Sequence, residues 1–200
     1  MATDTRTGDF AALTRRGLAL EYATLGWNVV GCWIVLGAAY AARSVALAGF
    51  GFDSVIEIFA SVIVVWQLKS INKDKGHLAE RLIGVAFLVL AVYIAVQSAI
   101  VLLTQFHSRT STPGIVWLAL TFAAMLLLAY GKGKTGRELG NPVLQKESRV
   151  TVIDGLLAGS VLIGIVLNAQ FGLWWADPLA AFVIVYYGFK EGYTALHVQA

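Results

Sequence analysis

The feature that most constrains this chain is a series of six long apolar runs, separated by short polar segments. A helix needs about 20 apolar residues to cross the hydrocarbon core of a bilayer, and each run is close to that length. Together the runs take up most of the 200 residues. The sequence therefore predicts an all-α fold, a six-span transmembrane helical bundle, with no room for a soluble domain.

The composition agrees with a membrane protein. Of the residues, 58% are hydrophobic and 14% are charged, whereas an ordinary soluble domain has about 25% charged residues. Residues 1–16 are polar and lack the early apolar core of a cleaved signal peptide, so the first apolar run is expected to remain as a span. The predicted domains are a cytoplasmic N-terminal segment (1–16), a six-helix transmembrane domain (17–195) and a short cytoplasmic tail (196–200).

The positions of the basic residues predict the orientation of the spans. Most lysines and arginines lie before the first span or in the connections 69–81 and 131–149. By the positive-inside rule both termini are cytoplasmic, in a bacterial inner membrane or another cellular membrane. The bases have no aromatic reading surface beside them, so the net charge of +3 does not indicate nucleic-acid binding. The predicted spans are 17–39, 44–68, 82–104, 115–130, 150–171 and 179–193.

Two acids interrupt the second apolar run. Asp53 and Glu57 are four residues apart, which on a helix places both carboxylates on one face, one turn from each other. A single charge at the bilayer centre costs at least about 2.5 to 3.5 kcal/mol, so the pair indicates a bound cation or proton. Small residues such as Gly49 share this face, and bulky residues such as Phe52 and Phe59 lie opposite. We therefore expect the acids to face protein or a water-filled path.

A third acid, Asp154, is predicted inside the fifth span, with Glu21 and Glu147 near the cytoplasmic ends of their spans. No lysine or arginine is expected deep in a span, so the three deep carboxylates must be protonated or hold a cation. A site that alternates between a divalent cation and protons is the core of a metal/proton antiporter. The alternative is that the acids are protonated structural groups that bond between helices. The sequence has no zinc-protease, serine-hydrolase or phosphate-loop motif, so no enzyme is predicted.

Several of these motifs resemble a known family. The similarity extends from about Leu18 to Tyr193, and span number and orientation also match. The motifs resemble those of the membrane domain of cation diffusion facilitator transporters, namely Asp53-Ser54-x-x-Glu57 in span two, Asp154-Gly155 in span five, and Trp175-Ala176-Asp177-Pro178-Leu179-Ala180 before span six.

The resemblance implies a metal site built from one pair of residues on span two and another on span five, with Asp53, Glu57 and Asp154 as ligands. The first position of the span-five pair is Val150 here, and valine cannot coordinate a metal. The resemblance favours zinc, while an all-oxygen ligand set also suits manganese. Candidates for a fourth ligand, besides water, are Glu147, Glu21, Asn28 and Thr151.

The predicted function is export of a divalent metal cation from the cytoplasm in exchange for protons. The expected partners are the lipid bilayer, divalent cations and protons. Most members of the family carry a cytoplasmic domain after the sixth span, and we expect it to be missing here, so that a homodimer would form through the membrane spans. The alternative function is a non-transporting metal-binding membrane regulator or partner subunit, because the ligand set is incomplete at Val150.

Overall fold

The computed structural model describes residues 2–69 and 76–197. This part of the chain is helical, with no strand, which confirms the predicted all-α bundle. The predicted cytoplasmic connection between spans two and three and the predicted C-terminal tail fall partly on residues 70–75 and 198–200, outside the described residues. The helices are α1 (Ala2–Ala42), α2 (Val45–Lys69), α3 (Gly76–Thr104), α4 (Thr112–Glu138), α5 (Pro142–Phe171) and α6 (Ala176–His197).

The length and surface of the helices are those of an integral membrane protein. Within the described residues, four segments are long and apolar enough to cross a membrane. Large apolar side chains lie on the outside of the bundle, where Trp33, Leu103 and Leu127 are each more than 70% exposed. Such a surface suits acyl chains rather than water. The four segments are Phe10–Ala42, Phe87–Thr104, Thr112–Glu138 and Glu147–Phe171.

Helix α2 contacts four of the other helices, and this position encloses its polar face. It packs against α1, α3, α5 and α6, while α4 pairs with α5 and α3 pairs with α6. Phe50 of α2, Ile94 of α3, Val161 of α5 and Ile184 of α6 are all buried in one apolar core. The core therefore fixes the orientation of α2 relative to α5 and α6, the helices that it meets near its acids.

The predicted division of α2 into two faces is confirmed. Gly49, Asp53 and Glu57 are buried, whereas Phe52 and Phe59 are 43% and 62% exposed. The small residue lets a neighbouring helix approach closely: a Cβ at Gly49 would lie 2.9 Å from Cδ1 of Ile94. The acids consequently face the interior of the bundle.

The predicted basic connection 131–149 is wrong. Helix α4 continues to Glu138 and α5 begins at Pro142, so that only 139–141 connect them. Glycines have low helix propensity, but here they allow close packing, which overrides propensity. A Cβ at Gly133 would lie 2.8 Å from the Ser148 hydroxyl, and one at Gly136 would lie 2.9 Å from Cγ of Gln145. The turn itself contains Gly140 at a φ of 59°, a conformation that favours glycine.

A buried hydrogen bond ties the start of α2 to the start of α6. The hydroxyl of Ser44 accepts from the backbone N–H of Leu47 at 3.1 Å and donates to Oδ1 of Asp177. Ser44 thus caps α2, because it satisfies one of the free N–H groups of the first turn. The carboxylate of Asp177, in the first turn of α6, extends this cap to a second helix.

We expect Gly164→Ala to destabilise the bundle by about 1–3 kcal/mol, because it overpacks the contact between α5 and α6. The added Cβ would lie 2.6 Å from the Cβ of Ala180 and 2.9 Å from the carbonyl oxygen of Ala176. Thermal unfolding in detergent measures the effect. The matched control is Gly37→Ala on α1, where nothing lies within 4 Å of the added atom. Equal stability of the two variants would contradict the packing described here.

Candidate metal site

Three buried carboxylates line one cavity between α2 and α5. Asp53 and Glu57 are each 3% exposed and Asp154 is 2% exposed. All three border a cavity of about 20 Å³, together with apolar residues of α3 and α6. That volume is about enough for one water molecule or a metal ion of similar size. The structure therefore places the three residues that the sequence predicted as metal ligands on the wall of one cavity.

Helix geometry explains why these side chains share the cavity. Asp53 and Glu57 are one turn apart on the buried face of α2, and Asp154 points from the facing helix α5. One turn before Asp154, Val150 also lines the cavity. Its apolar side chain occupies the position at which the family resemblance implied a further ligand. Glu191 of α6 borders the same cavity and adds a fourth carboxylate to its lining.

The carboxylate of Asp154 has an unusual environment. Both of its oxygens are buried and have no hydrogen-bond partner in the described part of the protein. A buried polar group without a partner costs about 1–3 kcal/mol, and a charged group costs more. Asp154 also interacts electrostatically with Asp53 and Glu57, which carry the same charge when ionised. A proton or a bound cation would relieve both penalties.

The carboxylates border the cavity without forming a closed ligand shell. Among the residues whose side chains the structure describes, no three His, Cys, Asp or Glu lie close enough together to hold a metal ion. A cation bound in the cavity would have to draw the side chains toward one another. Metal binding by Asp53, Glu57 and Asp154 therefore stays a prediction.

The expectation that no base lies deep in a span is wrong. Lys132 of α4 is completely buried, and its Nζ donates to Oε2 of Glu21 at 3.1 Å and to Oε1 of Glu147 at 3.4 Å. It also donates to the hydroxyl of Thr151 at 3.1 Å. The prediction failed because the cluster of bases around Lys132 indicated a connection between spans, whereas α4 continues through it.

The four candidates for an additional ligand lie elsewhere in the structure. Glu21, Glu147 and Thr151 surround Lys132, and none of them lines the carboxylate cavity. Asn28 of α1 is 2% exposed, and its Nδ2 has no hydrogen-bond partner among the described residues. It does not line the cavity either. The structure thus separates these four residues from the three carboxylates.

Two residues near the site were missed by sequence reasoning. Lys132 could have been found from its counter-charges, because buried acids such as Glu21 and Glu147 require a base or a proton nearby. Glu191 gave no such signal, because it follows Lys190 near the end of the last span and resembles an ordinary interfacial residue. Only the packing of α6 against α2 and α5 places it at the cavity.

A comparison with protein families identifies the same region. Residues 23–197 match a model described as the cation efflux transmembrane domain. The match extends from α1 to the end of α6 and includes Asp53, Glu57, Asp154 and Lys132. It covers most of the chain, and it confirms the resemblance to cation diffusion facilitator membrane domains.

Proposed function

This chain belongs to the cation efflux family, and from that premise we propose that its cavity carboxylates bind the divalent metal ion that it exports. Members of this family transport divalent metal cations across a membrane. The observation that carries the proposal is the cavity between α2 and α5, lined by Asp53, Glu57 and Asp154. The unpartnered oxygens of Asp154 give a cation a place to coordinate.

Protons are the natural exchange partner at such a site. Three buried acids around a cavity of about 20 Å³ cannot all stay ionised while the cavity holds no cation. When the metal leaves, protons replace its charge, and when the metal returns, the protons leave. Movement of the helices around a fixed site would open the cavity to each side of the membrane in turn. The proposed cycle exports metal from the cytoplasm and imports protons.

The residues that line the cavity influence which metal ion the site would prefer. Val150 borders the cavity and offers no ligand atom, so the ligand set consists of oxygens. Oxygen ligands suit manganese, whereas an imidazole would have favoured zinc more strongly. Membership of the family makes zinc the first expectation, with manganese second. Glu191, on the cavity wall, could supply an additional oxygen in place of the residue missing at position 150.

The experiment that tests this function is metal flux in proteoliposomes. The purified full chain is reconstituted, and Zn²⁺, Mn²⁺, Mg²⁺ and Ca²⁺ are offered separately, with an indicator trapped inside the vesicles. We expect flux of Zn²⁺ or Mn²⁺ into the vesicles. This flux should rise when the proton gradient runs in the opposite direction, from the vesicle interior outward. Absence of flux for every metal, from a protein that is folded and inserted, would contradict the proposal.

A second candidate function is that of a non-transporting metal-binding regulator or partner subunit. It is favoured by Val150 on the cavity wall and by the lack, in the described residues, of three ligand side chains assembled around one point. Equilibrium dialysis with ⁶⁵Zn²⁺ beside the flux assay separates the two functions. A regulator would bind Zn²⁺ and show no flux.

The homodimer through the spans and the cytoplasmic placement of both termini remain proposals as well.

A further inference from the structure

A completely buried ammonium group lies at the meeting point of three helices. Lys132 of α4 and Glu21 of α1 are both 0% exposed, and Glu147 of α5 is 5% exposed. The Nζ atom of Lys132 lies 3.1 Å from a Glu21 oxygen, 3.4 Å from a Glu147 oxygen and 3.1 Å from the Thr151 hydroxyl. An ammonium group has three N–H donors, and here each has one oxygen to receive it.

The oxygens around Lys132 are those that a free cation would need. Two carboxylates and one hydroxyl form an all-oxygen set, which is typical of sites for hard cations such as Mn²⁺, Mg²⁺ and Ca²⁺. The set also has unused capacity. Oε1 of Glu21 is buried and accepts no hydrogen bond in the described part of the protein. The ammonium therefore leaves one buried acceptor oxygen free in the cluster that it occupies.

The charges of the cluster do not balance. One lysine faces two carboxylates of its own cluster, and it also interacts electrostatically with Glu57 and Asp154 of the cavity. The neighbouring bases of the same helix, Lys134 and Arg137, are exposed and do not add to the charge of the buried cluster. If a divalent ion replaced the ammonium group, the net charge of the ion together with the two carboxylates of Glu21 and Glu147 would be zero.

We propose that Glu21, Glu147 and Thr151 form a second cation site whose occupant is the ammonium group of Lys132. The lysine is a tethered competitor that keeps divalent ions out of this site. Glu147 precedes Asp154 by seven residues on α5, a rise of about 10 Å along the helix, so the second site extends from beside the cavity toward the turn between α4 and α5. A metal ion that travels between the cavity and that end of the bundle would pass the cluster without being captured there.

The test uses Lys132→Met in the full chain, purified in detergent, with Mn²⁺ as the probe. Electron paramagnetic resonance counts bound Mn²⁺ through the loss of the free-ion signal. We expect Lys132→Met to bind about one more Mn²⁺ per chain than the parent, and the double variant Lys132→Met/Glu147→Gln to lose that increment. The matched control is Lys134→Met, an exposed lysine two residues along α4, which should add no Mn²⁺.

The outcome does not depend on the proposed transport function. If the three carboxylates of the cavity bind no metal, the parent binds no Mn²⁺ and Asp53→Asn changes nothing, yet Lys132→Met still gains one ion. A folded Lys132→Met with the parental Mn²⁺ count overturns the second site. If the variant is unstable, Mn²⁺ should raise its melting temperature more than that of the parent, and Glu147→Gln should abolish this rescue. An unstable variant without that rescue also overturns it.

Discussion

Replacing Asp154 with Asn is expected to reduce divalent metal flux by about 100-fold or more. Loss of a group that only supports a ligand typically costs 10–100-fold in metal affinity or activity, and Asp154 is proposed as a ligand itself. Both of its oxygens are buried and unpartnered, so they are available to a cation in the cavity. The amide of Asn has nearly the same shape but no charge, and it carries no exchangeable acid proton. The measurement is initial Zn²⁺ flux in proteoliposomes.

The control for this variant is Glu138→Gln at the end of α4. Glu138 is exposed and does not line the cavity, so the same loss of a carboxylate should leave flux unchanged. Circular dichroism and gel filtration would check that both variants are folded. Parental flux in Asp154→Asn would mean that the ion does not use this cavity.

Lys132→Met is expected to lower the free energy of unfolding by about 3–5 kcal/mol when divalent metal is removed with a chelator. The side chains of Glu21 and Glu147 would stay buried without the ammonium group that now pairs with both of them. Burying a carboxylate without a partner is costly, and methionine fills the space of the lysine stem without replacing its charge. Denaturant or thermal unfolding in detergent measures the loss.

A triple variant separates this electrostatic effect from a packing defect. Replacing a complete buried ion cluster with neutral groups is often close to neutral, whereas removing one member is not. We therefore expect Lys132→Met with Glu21→Gln and Glu147→Gln to recover most of the lost stability. A triple variant that is as unstable as Lys132→Met alone would show that the lysine stem, not its charge, holds the helices together.

The fold was predictable because the bilayer permits so few solutions. Long apolar runs indicated six helices, and the spacing of Asp53 and Glu57 among small residues indicated which face of α2 is buried. The ends of the helices were less predictable. Gly133 and Gly136 weaken a helix in isolation, but in the bundle they let α5 pack closely on α4. Tertiary contacts, which local sequence does not report, decided this region.

The candidate site was predictable in the same partial way. Asp53, Glu57 and Asp154 stood out because each is an acid in an apolar segment, and the structure places all three on one cavity. The second cluster was not predictable from spacing. Lys132 meets Glu21 across 111 positions of sequence and Glu147 across 15, and such pairing depends on how α1, α4 and α5 pack. The sequence indicated that burying these carboxylates costs free energy. Only the packing of the helices showed that Lys132 offsets part of that cost by pairing with Glu21 and Glu147.

The two clusters are linked by charge. Asp154 and Glu57 of the cavity both interact with Lys132, and Glu57 also interacts with Glu147. A cation that binds in the cavity would therefore repel the ammonium group of Lys132 electrostatically, and the ammonium group would weaken binding of the cation. This coupling predicts that variants of Lys132 change the apparent metal affinity of the cavity as well as the stability of the bundle. The two effects can be separated, because stability is measured without metal.

The most direct measurement of the central claim records Zn²⁺ flux and proton counterflow in the same proteoliposomes, with a metal indicator and a pH indicator trapped together. For the parent protein we expect both signals, in opposite directions, at zero membrane potential. For Asp53→Asn, with the protein still inserted, we expect neither. Zn²⁺ binding by the parent without either signal would contradict metal/proton exchange through this site.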